Sequence, residues 1–321
     1  MLPDDDHDGV ADTSILFLDN LPAVQGLMFA DGFFYYQDDA NIRRVAFQSG
    51  DRTPSAAGEM VTAMAPYWPQ DNLHWPKVFD KAQDGTIYIS NGGSQGDECD
   101  STDPVRGAVV KLNADGSTSD VARGFRNPIA IHCESDHNVC LIAELALDYS
   151  QNSAGREKII PLRQGDDWGY PCCATKDTPY AGVAYHDNSK VPDCSQVAPE
   201  QVSFIIGHTP FGLDIETGRW PAPWGGRLFV TLHGDYGSWA GARVVAVALD
   251  PQTGLLLPAT ELPGGNPANA SNMLEFATGW VGGNLHGRPA PIAFAPDGRL
   301  FLGDDQAGAV VWIAPMNLMQ H

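Results

Sequence analysis

The sequence predicts an all-β fold, a six-bladed β-propeller of four-stranded blades, from three observations. A unit of short apolar strands recurs along the 321 residues, its turns carry Asp-Gly or a relative, and amphipathic helical periodicity is nearly absent. The first three turns fall at Gly32, Gly85 and Asn138, a constant step of 53 residues. Blade-sized spacing of β-branched and aromatic strands indicates a propeller, and length divided by that step gives about six blades.

The units follow in order. The first runs Gly26 to Phe29, turns at Asp31-Gly32, and continues through Phe33 to Tyr36 and Asn41 to Phe47. The second runs Lys77 to Phe79, Asp84-Gly85, Ile87 to Ile89 and Gly107 to Leu112. The third runs Pro128 to Ile131, Ser135 to Asn138, Cys140 to Ala143 and Lys158 to Leu162. The fourth is Gly212 to Ile215, Gly225-Gly226, Leu228 to Val230 and Arg243 to Leu249; the fifth is Pro291 to Phe294, Asp297-Gly298, Leu300 to Leu302 and Ala309 to Ile313. Residues 166–205, rich in Pro, Cys and Asp, are expected to hide a degenerate sixth blade or a long insertion. The propeller is expected to span 14–321. Residues 1–13 precede it as an acidic linker whose alternating carboxylates at Asp4, Asp6 and Asp8 suit Ca²⁺, as in the thrombospondin type 3 repeat they resemble.

Composition narrows the function. The net charge of −21 opposes binding to nucleic acid or an anionic membrane, which need clustered Lys and Arg. It suits a secreted protein or one that docks a basic partner. No apolar run reaches the length of a membrane span. Met1 directly precedes the acidic segment without a signal peptide, so the natural chain is expected to have been trimmed at its N-terminus. Six cysteines lack CxxC spacing and read as disulfides of an oxidising compartment, periplasmic or extracellular. Cys133 and Cys140 flank a polar turn and can face each other across a hairpin. For Cys172 and Cys173, Cys194 and Cys99 are better partners than each other.

In a propeller, the residues just before each first strand converge at one mouth of the central channel. His74, Arg126, Asn127, His208 and Arg288 hold that position, and loops after the second strands add Asn91, Glu144, Asp148, His233 and Asp304. Cations, carboxylates and histidines together suit a polyanionic ligand and a divalent metal. A fixed cation and a neutral imidazole in one pocket can bind an anionic oxidant and deprotonate an alcohol.

An ordered set of motifs then carries a specific resemblance. It comprises Asn72-Leu73-His74-Trp75-Pro76-Lys77, Gly124-Phe125-Arg126-Asn127-Pro128, Glu144-Leu145-Ala146-Leu147-Asp148, Asp167-Trp168-Gly169-Tyr170-Pro171, Leu232-His233-Gly234 and Gly287-Arg288-Pro289. With these, residues 14 to 315 resemble the soluble pyrroloquinoline quinone (PQQ) sugar dehydrogenases, most of all the L-sorbosone and fungal pyranose dehydrogenase branch. The resemblance implies PQQ- and Ca²⁺-dependent oxidation of a sugar or a related polyol or aldehyde. His74 would be the general base, Arg126 would pair with the quinone oxygens, and Asn127 would hydrogen-bond beside it. Glu144, Ala146, Leu147 and Asp148 would hold Ca²⁺, Ala146 and Leu147 through their carbonyls. Lys77 and Arg288 would neutralise the PQQ carboxylates, His233 would stand at a cofactor-binding lysine position, and Trp168 would wall the pocket unless it packs in the core. The electrons would leave to a separate acceptor such as a cytochrome, since no CxxCH haem site is present.

The chain departs from glucose-oxidising relatives at three places. Leu73 stands where they have an Asp that supports the base, His233 replaces a lysine, and Ala290 replaces a second arginine. Two other readings compete. One is a Ca²⁺-dependent propeller lactonase using Glu144, Asn127 and Asp304, and the other is a non-catalytic extracellular propeller that binds glycan or protein.

Overall fold

The computed structural model describes residues 1–64, 74–93, 107–146, 155–180, 193–235, 237–281 and 287–318. The first blade holds β1 (Leu27–Ala30), β2 (Phe33–Asp38), β3 (Asn41–Ala46) and β4 (Glu59–Ala63) in that order. The second holds β5 (Phe79–Lys81), β6 (Ile87–Asn91), β7 (Ala108–Leu112) and β8 (Thr118–Arg123). The third starts with β9 (Asn127–Glu134), β10 (Val139–Leu145) and β11 (Glu157–Pro161). A two-stranded ribbon follows, β12 (Cys173–Thr175) with β13 (Thr178–Pro179), and then β14 (Val202–Phe204) rejoins the third sheet beside β11. The fourth blade is β15 (Pro210–Ile215), β16 (Leu228–Leu232) and β17 (Arg243–Val247). A short β18 (Ala259–Thr260) pairs in parallel with β14 before β19 (Met273–Ala277) completes that blade. The fifth is β20 (Pro289–Phe294), β21 (Leu300–Asp304) and β22 (Ala309–Ile313).

Every repeat unit read from the sequence is a sheet, and the architecture is an all-β propeller. The local reason is visible at the first turn. Asp31 and Gly32 both take positive φ, 50° and 76°, the two-residue geometry whose twist matches the paired strands on either side. Five blades form among the described residues. The 166–205 segment forms no blade of its own: it is a loop, the β12–β13 ribbon and β14, the strand that rejoins the third blade.

Packing follows the blade order. One apolar cluster fills each junction between neighbours: Met28, Ile42, Ile89 and Val110 between blades one and two, and Val109, Phe125, Ile142 and Ile160 between two and three. Ile129, Leu141, Leu213 and Val245 join three to four, and Phe229, Val244, Ile292 and Leu302 join four to five. The first strands also stitch blade to blade. Asp80 on β5 accepts from Cys133 N on β9 (2.8 Å), and Asp214 on β15 accepts from Phe294 N on β20 (2.6 Å). His132 lies between them, 3.5 Å from Asp214 and 3.9 Å from Asp80. Burial raises the pKa of both carboxyls, against the His132 charge.

Cys133–Cys140 closes the β9–β10 hairpin and Cys173–Cys194 clamps the insertion, both as expected. Cys172 is also disulfide-bonded; Cys99 lies outside the described residues. At the N-terminus the Asp4, Asp6 and Asp8 oxygens lie within 4.8 Å of one another. That segment lies against the fifth blade, where Trp312 Nε1 on β22 donates to the Gly9 carbonyl (2.7 Å).

Candidate functional site

His74 and Arg126, fifty-two positions apart in the sequence, are tied to one dipeptide at the end of β6. His74 Nδ1 bonds the Gly93 carbonyl (2.7 Å), and Gly93 N donates to the Arg126 carbonyl (2.8 Å). A carbonyl only accepts, so Nδ1 carries the proton and the lone pair of the neutral ring sits on Nε2. Gly92 makes the approach possible. A Cβ there would lie 2.5 Å from His74 Cβ and 2.7 Å from the His74 carbonyl. Both residues are buried, His74 at 2% exposure and Arg126 at 3%. The sequence reading missed Gly92 and Gly93, because a backbone bridge leaves no signal in side-chain chemistry.

The Arg126 end is built from β9 and β10. The Arg126 backbone N–H donates to Glu144 Oε1 (2.6 Å), and its guanidinium Nη1 donates to the Ala146 carbonyl (2.6 Å). Thus the carbonyl assigned to Ca²⁺ by resemblance is already turned onto Arg126. Ala146 is itself held by buried Glu157, which accepts from Ala146 N (2.6 Å) and Gly207 N (3.1 Å). Burial pushes the Glu144 carboxyl up to about 8, against the Arg126 N–H and the charges of Lys158 and Arg126. Two buried acceptors here, Asn127 Oδ1 and Glu144 Oε2, have no hydrogen-bond partner among the described residues. Leu147 and Asp148 lie outside the described residues, as does Leu73.

The Gly124-to-Pro128 and Asp167-to-Pro171 motifs form one unit. Gly124 has φ +75°, and a Cβ on it would run into the Asp167 carboxylate and the Trp168 and Gly169 amides. Trp168 N and Tyr170 N donate to the Arg123 and Gly124 carbonyls, both at 2.9 Å. This docking sinks Trp168, 3% exposed, into the cluster with Phe125 and Ile142. Trp168 packs as a core residue beside the Arg126 segment.

Lys77 is also buried, and its Nζ donates to the Trp75 carbonyl (3.0 Å), so it is no blade-edge lysine. Arg288 does not present an open fork. Its Nε and Nη2 close on Asp305 at 2.7 and 2.6 Å, and its guanidinium lies 4.7 Å over the Trp239 ring. His233 Nε2 reaches the same Asp305 (3.3 Å) while its ring stacks on Phe211. Burial and the Arg288 charge lower its pKa to about 4, so the ring is neutral near pH 7. His208 is bound by Glu261 (2.8 Å), a fully buried carboxylate that also holds Arg243 and Ile205 N. Asp304 accepts from Arg288 N, Ala307 N and Trp280 Nε1, which makes it a turn anchor. The geometry therefore joins His74, Asn91's strand end, Arg126, Asn127 and Glu144, and His233, Arg288 and Asp305 form a second bonded group.

Known proteins extend this picture. A family described as a domain of unknown function, DUF7133, matches residues 1–145. No curated protein sequence matches the chain. Among solved structures, the iodide form of a Trichoderma reesei carbohydrate-active enzyme of family AA12 is 14% identical, with 97% of this chain and 86% of that chain covered and a TM-score of 0.76. The holo PQQ domain of pyranose dehydrogenase from Coprinopsis cinerea is 15% identical over 97% of this chain and 86% of its own, with a TM-score of 0.74. The PQQ-bound aldose sugar dehydrogenase of Streptomyces coelicolor is 15% identical over 87% and 73%, with a TM-score of 0.55. This chain thus has the propeller fold found in soluble PQQ sugar dehydrogenases.

Proposed function

We propose that the chain is a PQQ- and Ca²⁺-dependent dehydrogenase oxidising a sugar or a related polyol or aldehyde, with His74 as general base. The observation that carries this reading is the Gly93 bridge, which fixes the basic nitrogen of His74 and binds it to the segment presenting Arg126. Removing a hydroxyl proton needs an imidazole whose accepting nitrogen is held at a set orientation, and the Gly93 bond leaves Nε2 to be that nitrogen. Asn127 Oδ1 and Glu144 Oε2 are buried acceptors lacking donors, the oxygen chemistry a hard cation takes. Arg126 and Lys77 are buried basic side chains, the residue type that meets an anionic ligand, and Arg288 is paired with Asp305. The residues present therefore fit the group. When bound, PQQ with Ca²⁺ supplies a hydride acceptor polarised at its quinone oxygens.

His74 Nε2 takes the hydroxyl proton while Gly93 keeps the ring from turning. Arg126 holds fixed positive charge beside the reacting pair, in a setting where burial strengthens it. Glu144 changes ionisation readily at its raised pKa, so an incoming cation meets a carboxylate that gives up its proton on binding. The disulfides support an oxidising compartment outside the cytoplasm, and the acidic surface supports a separate basic electron acceptor.

The test is calorimetry of the purified chain with PQQ and Ca²⁺, followed by dye reduction with a panel of aldoses and ketoses. PQQ binding and sugar-dependent reduction are expected. His74→Ala should lower turnover by about 10²–10⁴-fold with PQQ affinity kept; absence of PQQ binding overturns the reading. The same unpartnered oxygens would serve a Ca²⁺ lactonase. That reading also needs Asp304, whose carboxylate is engaged by three donors. Lactone hydrolysis abolished by a chelator would favour it.

A further inference from the structure

One motif of the sequence belongs neither to the blade repeats nor to the mouth. Asn269-Ala270-Ser271 has the Asn-x-Ser pattern with a residue other than Pro between. It is the only Asn-x-Ser or Asn-x-Thr triplet in the 321 residues. The triplet lies in the segment that leads from β18 into β19, and all three residues are exposed. The backbone there is held in place. The Asn269 carbonyl accepts from Asn272 N (3.1 Å) and Met273 N (3.2 Å), and Arg227 Nη2 donates to the Ser271 carbonyl (3.0 Å).

The side chains close a local turn. Asn269 Oδ1 accepts from Ser271 N (3.1 Å) and from Ser271 Oγ (2.7 Å). Asp115 with Ser117 and Asp193 with Ser195 make the same arrangement, with a carboxylate in place of the amide. A carboxylate is the stronger acceptor for such donors, so a turn that only has to hold itself favours Asp. Residue 269 departs from that choice in a chain with 40 Asp and Glu residues. What the amide adds is Nδ2, which takes part in no hydrogen bond among the described residues.

Strand register puts this turn at the end of blade four opposite the candidate site. Along β16 the chain runs from Leu228 to Leu232, and His233 follows at the mouth. Leu228 pairs with Val247, and Val247 pairs with Met273. Asn269 precedes Met273 by four positions, and Arg227, which holds Ser271, immediately precedes β16. Because β19 is the last strand in the order of its sheet, a bulky group on Asn269 has room there and stays clear of His74 and Arg126.

We infer that Asn269 is an N-glycosylation site. The reaction is transfer of an oligosaccharide from a polyprenyl diphosphate donor, in an oxidising compartment of the kind where the Cys133–Cys140 and Cys173–Cys194 bonds form. A bond forms between Nδ2 and the anomeric carbon of the sugar, and the bond from that carbon to the diphosphate oxygen breaks. The diphosphate leaves with the electron pair, and Nδ2 gives one proton to a base of the transferase. Ser271 supplies the hydroxyl that the acceptor pattern requires two positions after the asparagine.

The test is intact and peptide mass spectrometry of the 321-residue chain secreted from a eukaryotic host. One glycan at Asn269 is expected, released by peptide-N-glycosidase with conversion of that residue to Asp. Asn269→Gln and Ser271→Ala should each abolish it. Asp115→Asn is the control, because it sets the same triplet in the equivalent turn ahead of Ser117. A wild-type chain bare at Asn269, while Asp115→Asn is glycosylated in the same host, overturns the inference. So does a glycan mass that persists in Asn269→Gln.

Discussion

At the scale of single residues, the site is set by what each polar atom is paired with. His233 is held neutral by burial beside Arg288, with Asp304 and Asp305 on the other side and the Phe211 ring against it. Its folded pKa near 4 lies below the ordinary 6.5, so its contribution to stability is present above pH 6.5 and is lost as the pH falls from there towards 4. The shift corresponds to about 3 kcal/mol. His233→Gln should flatten the dependence of the urea midpoint on pH across that window, and an unchanged slope would refute the assignment. Gly92→Ala should cost most of the turnover, because the new Cβ displaces His74, while PQQ affinity changes far less. Much of this level was legible in the sequence. His74 and Arg126 stood out because each precedes a first strand. The Asp305 fork on Arg288 did not, because two oppositely charged side chains seventeen positions apart announce nothing until the strand register of the fifth blade brings them together.

Among the elements, the units with tight turns were readable and the irregular additions were not. All five sets of first, second and third strands follow the predicted repeats, since Asp-Gly turns and alternating apolar residues encode them directly. β14 and β18 escaped notice because each is so short that its pairing comes from the sheet it joins. Ala146 and Gly207 share one carboxylate: Glu157→Ala would leave their amides buried without that acceptor, at about 1–3 kcal/mol each. A lower denaturation midpoint together with weakened Ca²⁺ binding is expected, and stability without any effect on Ca²⁺ would show that the loop lies outside the cation site. Gly124→Ala should be more damaging still, with an expected loss of about 3 kcal/mol or more, because both the positive φ and the filled space oppose a methyl group.

For the whole molecule, the charge of −21 is the dominant long-range property. Reduction of a basic cytochrome by the loaded enzyme should slow several-fold between about 50 and 500 mM salt as the attraction is screened, whereas reduction of a neutral dye should not. The order of the blades has a mechanical side as well. A closed ring behaves as a hoop: no blade can swing out without straining all the others. The chain from β1 to β22 runs blade by blade in series, with first strands clasped by Asp80 and Asp214. Amide hydrogens of the first and fifth blades should exchange well before those of the third and fourth, whose sheets each pack against an apolar neighbour on both sides.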